Sequence, residues 1–317
     1  MKVLSNKKIL ILGASGQLGS EFQNELSAHP SQVTFVRRSP WRKKYKSKSK
    51  HKYISEDLLK IKDAKLEKLI FEADIIFHLA ADTSVQEKPE NERNFLISQL
   101  NLLNRILVLL VGSSKKLLFS SSCSVYGLKH SKIINDLSIS DPHTSYDLLK
   151  TYSDQLIEYY QKIYQVNCCA IRFSNIYGRD SSLNKSKNRR VLNKFLDQMH
   201  LNQRVAVVEN GKFYRNFLHV TDAVRMLVYL AQQNRFDQSI YIGCSKKNIL
   251  FIDAVKLLSK YFEINFNCPV KISRNFPSSF ITDTRSFKLR PSKIFANDFK
   301  FKFNLEKGFL DLIKGDT

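Results

Sequence analysis

The sequence has no apolar run long enough to cross a membrane. Its longest candidate, Leu102 to Val111, is about half of the ~20 residues a span requires, and Asn104 and Arg105 interrupt it. A secretory leader is not expected, because Ile9–Leu12 runs straight into Gly13 and reads as a strand meeting a turn. The five cysteines (Cys123, Cys168, Cys169, Cys244 and Cys268) lack zinc-ligand spacing and are too sparse for a disulfide scaffold. There are no internal repeats. These absences point to a reduced, cytoplasmic protein. Acidic residues are also scarce: Asp+Glu 29 against Lys+Arg 51 leaves a formal charge of +22. From Arg37 to Lys52 there are nine Lys/Arg and no acid. Such a charge attracts polyanions nonspecifically. The stretch reads as a solvated lysine-rich loop, as a phosphate site in its first residues, or as a dock for nucleic acid or anionic membrane. No base-reading module or aromatic-interleaved stripe accompanies it, so specific nucleic-acid binding is not expected.

What is present is alternation. With 317 residues, 43% of them hydrophobic, the chain can fill a sizeable core. Apolar runs at Lys8–Leu12, Val33–Val36, Asp74–Leu79, Lys116–Ser120 and Val166–Phe173 read as strands. Between them, Gly19–Ser27, Leu100–Val111 and Tyr146–Tyr164 have helical spacing, the last with Leu149, Tyr152, Leu156, Ile157, Tyr160, Ile163 and Tyr164 on one face. Strands alternating with helices predict an α/β, Rossmann-type, doubly wound parallel sheet, with ligands at the carboxyl ends of its strands. After Asn175 the pattern weakens. Ser181 to Arg190 reads as a loop, Phe217–Gln232 as one more helix, and the chain from about Ser245 as mixed short elements. The expected division is a dinucleotide-binding domain over 1–180 plus about 214–243. A smaller substrate-binding lobe takes about 181–213 plus 244–317.

Gly13-Ala14-Ser15-Gly16-Gln17-Leu18-Gly19 follows the first strand and opens a helix. A pyrophosphate needs backbone N–H groups and a helix N-terminus close by, which side chains would obstruct. In that strand-turn-helix context, Gly13, Ser15, Gly16, Gln17, Leu18 and Gly19 are candidate dinucleotide contacts. An acid at the end of the second strand would accept bonds from a ribose 2′-hydroxyl, but Arg37 and Arg38 stand there. Arginine can bind a 2′-phosphate through a bidentate pair, so NADP(H) is favoured over NAD(H). Asp57, ahead of Leu58, is placed to meet the adenine edge, or serves as an ordinary loop acid.

Tyr146 is followed four residues later by Lys150, and Ser122 lies upstream within Ser120-Ser121-Ser122-Cys123-Ser124-Val125-Tyr126-Gly127. With 13 Tyr in the chain, roughly one Tyr-x-x-x-Lys pair arises by chance, so order and context carry the signal. On a helix, positions i and i+4 are neighbours, and an ammonium can lie beside the phenol. Moving a tyrosine from its free pKa of about 10 towards 7 takes about 4 kcal/mol of preference for phenolate. Tyr146 would then exchange a substrate hydroxyl's proton, with Ser122 holding that oxygen.

These motifs together resemble the extended short-chain dehydrogenase/reductase family of nucleotide-sugar epimerases, dehydratases and reductases. The likeness extends through His78-Leu79-Ala80-Ala81, Arg172-Phe173-Ser174-Asn175-Ile176-Tyr177-Gly178, Arg215-Asn216-Phe217-Leu218-His219-Val220-Thr221-Asp222 and Ser292-Lys293. It implies that Leu79, Ala80 and Ala81 pass beside the cofactor, that Asn175 borders a sugar nucleotide, and that Arg215 and Arg285 grip its diphosphate. It further implies a homodimer paired through helices 100–112 and 146–164. Family dehydratases place an Asp-Glu pair where this chain has Cys123 and Ser124, which argues against dehydration. The serine-rich motif resembles 4-epimerases, whereas Arg37 and Arg38 favour an NADPH-dependent 4-ketoreductase. Two further readings are a non-catalytic dinucleotide sensor or scaffold and a polyanion-binding protein on the same fold. The family usually has a small residue where Asp147 stands, and an Asp where Arg290 stands.

Overall fold

The computed structural model describes residues 4, 6–26, 31–41, 51–81, 89–128, 133–179, 191–207, 211–274 and 285–315. Most of the basic stretch (42–50) and the expected loop at 181–190 lie outside them. The chain divides into two compact units. One comprises Met1–Tyr126, Ile139–Phe173 and Val224–Tyr241; the other comprises Gly127–Ser138, Ser174–Ala223 and Ile242–Thr317. The sequence expectation put 127–138, 174–180, 214–223 and 242–243 with the first domain, whereas the second unit contains them.

The first unit is built on β1 (Lys8–Leu12), α1 (Gln17–Leu26), β2 (Gln32–Arg37), β3 (Lys52–Ser55), α2 (Asp63–Phe71), β4 (Ile75–His78), α3 (Pro89–Leu110), β5 (Lys116–Ser122), α4 (Ser145–Ile163) and β6 (Asn167–Phe173). The sheet order is β10-β6-β5-β4-β1-β2-β3, where β10 is Ile240–Gly243. The registered pairs from β6 to β3 are all parallel. The strand order reverses between β1 and β4, the switch point at which open α/β sheets bind ligands. Ile9 to Leu12 and Ile75 to His78 are buried throughout, as strands covered on both faces must be. The core on one face joins Leu10, Val36 and Ile76 to Leu103, Leu107 and Ile157 of α3 and α4.

The helix expected at Leu100 begins a full three turns earlier, at Pro89. α4 starts at a capping box: Thr144 Oγ1 accepts from the Asp147 amide at 3.1 Å, and Asp147 Oδ2 accepts from the Thr144 amide at 3.1 Å. Its buried face differs from the apolar face expected. Leu149, Lys150, Ser153, Asp154, Ile157 and Tyr160 turn inward, while Tyr152, Ile163 and Tyr164 are exposed. The inward face carries the Asp154–Arg172 ion pair and Lys150 alongside Leu149 and Ile157.

In the second unit, β7 (Asn175–Tyr177) pairs parallel with β9 (Tyr214–His219), which pairs antiparallel with β11 (Asn248–Leu250). β8 (Arg204–Val207) pairs with β12 (Lys271–Arg274). The helices are α5 (Val191–Asn202), α7 (Phe251–Phe266), α8 (Lys293–Asn297) and α9 (Leu305–Lys314). Phe195, Phe217, Phe251, Phe262 and Phe309 fill the core between them. The helix expected over Phe217–Gln232 starts only at Val220 as α6 (Val220–Ala231), because Phe217–His219 belongs to β9.

Candidate active site

The glycine turn lies at the carboxyl end of β1. The amides of Gly13 and Ala14 both donate to Val36 O at 3.0 Å, which fastens the turn to the end of β2. Gly13 has φ +94, and a Cβ there would sit 2.6 Å from Ala80 Cα. At Gly19 a Cβ would lie 2.5 Å from both Ala14 Cα and Gly13 O. Packing of backbone on backbone therefore demands glycine at both ends of the turn. Gly16 is different: it is exposed, and its Cβ would meet only Gly13 O, at an ordinary 3.7 Å. The protein's own atoms do not require glycine there, and the resulting cradle at the N-terminus of α1 fits a pyrophosphate. Ser15 and Leu18 flank it half-buried, and Gln17 is buried at the first helical position.

The other expected cofactor contacts line the same carboxyl edge. Arg37 ends β2 but is buried, and its guanidinium is committed locally. Nε donates to Ser39 O at 2.9 Å, Nη2 donates to Pro40 O, and the group lies 4.0 Å from the Trp41 ring centre. Arg38 is exposed and so carries the expectation of a 2′-phosphate contact. Asp57 follows β3 and accepts from the Leu59 amide at 3.1 Å, forming a local turn, while Leu58 packs in the core. Leu79, Ala80 and Ala81 follow β4 and are half-buried, Leu79 N donating to Leu12 O at 2.8 Å.

Ser122 is the last residue of β5. Its hydroxyl donates to Ser124 Oγ at 2.9 Å and accepts from the Ser124 amide at 3.2 Å. Tyr146, in the first turn of α4, is half-buried, and Lys150 behind it is buried. Lys150 Nζ lies 5.7 Å from the Tyr146 ring centre and 4.4 Å from that of Phe119, and donates to Ser120 O at 2.6 Å. Burial pushes the ammonium down to about 8, with the Asp154 carboxylate opposing the shift. His78, on β4, is pushed down to about 3 by burial and by Lys150, so it stays neutral. A lysine ammonium poised near neutrality beneath a half-buried phenol is an arrangement suited to proton exchange.

Sequence reasoning missed the groups behind Lys150. Asp154 accepts from Arg172 Nε at 2.7 Å, and Arg172 Nη1 donates to Tyr126 Oη at 3.0 Å. The available signal was the repeat of the helical spacing, Tyr146, Lys150, Asp154.

In the second unit, two of the expected substrate residues, Asn175 and Arg215, share one small sheet. Asn175 opens β7 opposite Phe217 of β9, its Nδ2 donating to Asn216 O at 3.1 Å. Arg215, on β9, is buried with its guanidinium 4.7 Å from the Phe213 ring centre. Ser286, next to half-buried Arg285, accepts from the Tyr214 amide at 3.1 Å, so both arginines lie beside the same bonded pair.

The model of the NAD dependent epimerase/dehydratase family matches residues 9–243, a span holding the glycine turn, Ser122, Tyr146 and Lys150. The chain belongs to that family. It is an enzyme, and its relatives act in nucleotide-sugar chemistry. The uncharacterized UDP-glucose epimerase YtcB of Bacillus subtilis (strain 168) is 26% identical over 255 residues, covering 76% of this chain and 78% of that protein. A dTDP-4-dehydro-6-deoxy-D-allose reductase of Streptomyces is 24% identical over 260 residues, covering 78% and 79%. The fold matches that of UDP-glucuronic acid 4-epimerase from Bacillus cereus, solved with UDP-glucuronic acid and NAD, at a TM-score of 0.79. That match is 18% identical and covers 97% of this chain and 98% of that one.

Asp147, where the resemblance implies a small residue, has a structural role here. Its carboxylate also accepts from the His143 amide at 3.3 Å, so it fixes the start of the helix that presents Tyr146. Cys123 is buried and its thiol is pushed well up by burial, which leaves it unable to act as an acid or base near neutrality. No helix among the described residues is long and apolar enough to cross a membrane.

Proposed function

We propose that this enzyme is a 4-epimerase of nucleotide-diphosphate sugars that retains its dinucleotide through the cycle. The observation that carries the reading is the buried Lys150 ammonium beneath Tyr146. The bound nicotinamide would accept and return the hydrogen of sugar C4. Tyr146 takes the proton of the C4 hydroxyl and returns it, Lys150 stabilises the phenolate, and Ser122 holds the hydroxyl in line. Arg215 and Arg285 grip the sugar's diphosphate and Asn175 borders the sugar, while the start of α1 faces the cofactor's pyrophosphate. Cys123 and Ser124 offer no acid-base pair, which speaks against dehydration. NAD is favoured over NADP because Arg37 is committed to Ser39 and Pro40.

Exposed Arg38 supports the second reading, a 4-ketoreductase that exchanges NADPH each turnover. A homodimer through the outer faces of α3 and α4 also fits, since Ile97, Val108, Tyr152, Tyr159 and Ile163 are exposed there; a monomer by sedimentation would contradict it. Four buried cysteines, none of them in a disulfide among the described residues, suit a reducing cytoplasm.

The test is interconversion of UDP-glucose and UDP-galactose followed by proton NMR. Wild-type protein is expected to reach equilibrium, and Tyr146→Phe to lose turnover by about 100-fold or more while still binding nucleotide. Turnover surviving in Tyr146→Phe would defeat the mechanism. Inertness toward UDP-sugars combined with NADPH-dependent reduction of a 4-keto sugar would select the second reading.

A further inference from the structure

The face of α4 that carries Tyr146 and Lys150 reaches Asp154 one turn later. That carboxylate is buried and accepts from Arg172 Nε at 2.7 Å. Arg172 lies on β6 directly across from Ser121, one position before the pair Ser122–Phe173. Its Nη1 donates to Tyr126 Oη at 3.0 Å, with the guanidinium 5.0 Å from the Tyr126 ring centre. Its own carbonyl accepts from the Cys123 thiol at 3.2 Å. Tyr126 and Cys123 are the two ends of the single 3-10 turn that follows Ser122. One side chain thus joins the helix bearing Tyr146 and Lys150, the strand beside Ser122, and the turn that sets the Ser122 hydroxyl.

A buried ion pair is a poor device for stability alone, because an apolar pair of similar volume serves as well or better. Its value here is geometry and charge. The ionisable groups facing Lys150 are Tyr146 and Asp154 on its own helix and His78 from β4, which is neutral. Arg172 from β6 faces Asp154 from the other side, and Tyr126 and Cys123 face Arg172. Asp154 is the one acid in this set.

We propose that Asp154 and Arg172 are positioning residues that lock the Ser122 turn to the Tyr146–Lys150 helix, with Asp154 also placing a negative charge one helical turn from buried Lys150. The inference rests on the reading of Tyr146 as the acid/base. Burial already pulls Lys150 down to about 8 with Asp154 opposing. Removing that carboxylate lowers it further, so a larger share of Lys150 is neutral at pH 7 and the phenolate loses part of its counter-charge.

The experiment follows Lys150 by NMR in full-length protein carrying 13C-labelled lysine, with the resonance assigned by its loss in Lys150→Met. Asp154→Asn is expected to lower the Lys150 midpoint by about one pH unit or more, and Asp154→Glu to restore it. With UDP-sugar, the alkaline limb of kcat should move to lower pH in Asp154→Asn with KM unchanged. Tyr126→Phe, a milder change that protects the test against misfolding, should lower kcat on the order of tenfold at constant KM. A Lys150 midpoint and kcat–pH profile unchanged in Asp154→Asn, with losses confined to melting temperature, would overturn the charge role. Unaltered kcat in Tyr126→Phe would overturn the clamp. The NMR titration needs no substrate, so a shifted midpoint in a protein inert toward nucleotide sugars would refute the proposed function and uphold the charge role of Asp154.

Discussion

Gly16→Ala separates a glycine that the fold needs from one that a ligand needs. The new methyl would touch only Gly13 O, at 3.7 Å, and Gly16 does not have a positive φ. Folding should therefore be unharmed, and the reduced freedom of the unfolded chain should add about 0.4–1 kcal/mol of stability. The same methyl would stand in the cradle at the start of α1, where the proposed function puts a pyrophosphate oxygen against backbone N–H groups. Charge-assisted hydrogen bonds contribute about 1.5–3 kcal/mol each. Losing one or two costs about 3 kcal/mol, or roughly a 100-fold rise in Kd. Gly13→Ala is the contrasting control, because its methyl would lie 2.6 Å from Ala80 Cα and 2.8 Å from Leu79 C, at φ +94. That variant should lose stability by several kcal/mol, roughly as overpacking and left-handed strain add. Calorimetric titration of NADH and NADPH into nucleotide-free protein, paired with urea denaturation, reads both quantities. Gly16→Ala binding dinucleotide within twofold of wild type would refute the reasoning, as would destabilisation equal to that of Gly13→Ala.

His78 makes the fold acid-sensitive: its folded pKa of about 3 lies below the ordinary 6.5, so the unfolded chain binds the proton first as pH falls through 6.5. Its share of the loss is absent above that pH and reaches about 2 kcal/mol at pH 5. In His78→Phe the drop in unfolding free energy between pH 7 and pH 5 should shrink by about that amount, and an unchanged drop would contradict the assignment. Asp147→Ala removes the acceptor for the Thr144 and His143 amides and should cost about 1–2 kcal/mol in urea denaturation; an unmoved midpoint would show that the cap is dispensable. Arg38→Ala should weaken NADPH more than NADH if that exposed arginine meets a 2′-phosphate, whereas equal losses would remove the main support for a reductase.

Much of the first unit was legible because strands buried on both faces read as continuous apolar runs, as Ile9–Leu12 and Ile75–Phe77 do. The edge strand β3 escaped notice because its residues Lys52-Tyr53-Ile54-Ser55 are half-exposed and follow the basic stretch. Helix α2 buries only Leu66, Leu69 and Ile70 and offered too short a periodic signal. At the site, Tyr146 and Lys150 could be read because helical spacing is local. Arg172 could not be tied to Asp154, 18 residues away, since only packing of β6 against α4 joins them. Arg37 shows the opposite failure: its charge was visible, but not the carbonyls of Ser39 and Pro40 that would engage it. Where a side chain's role depends on which backbone groups turn toward it, composition and spacing are silent.

The most direct test of the central claim is mass spectrometry of the nucleotide released when purified protein is denatured. A 4-epimerase that recycles its cofactor in place should release NAD at about one molecule per chain. Protein that releases none and then binds NADPH in preference to NADH would contradict that account and establish an exchanging reductase in its place.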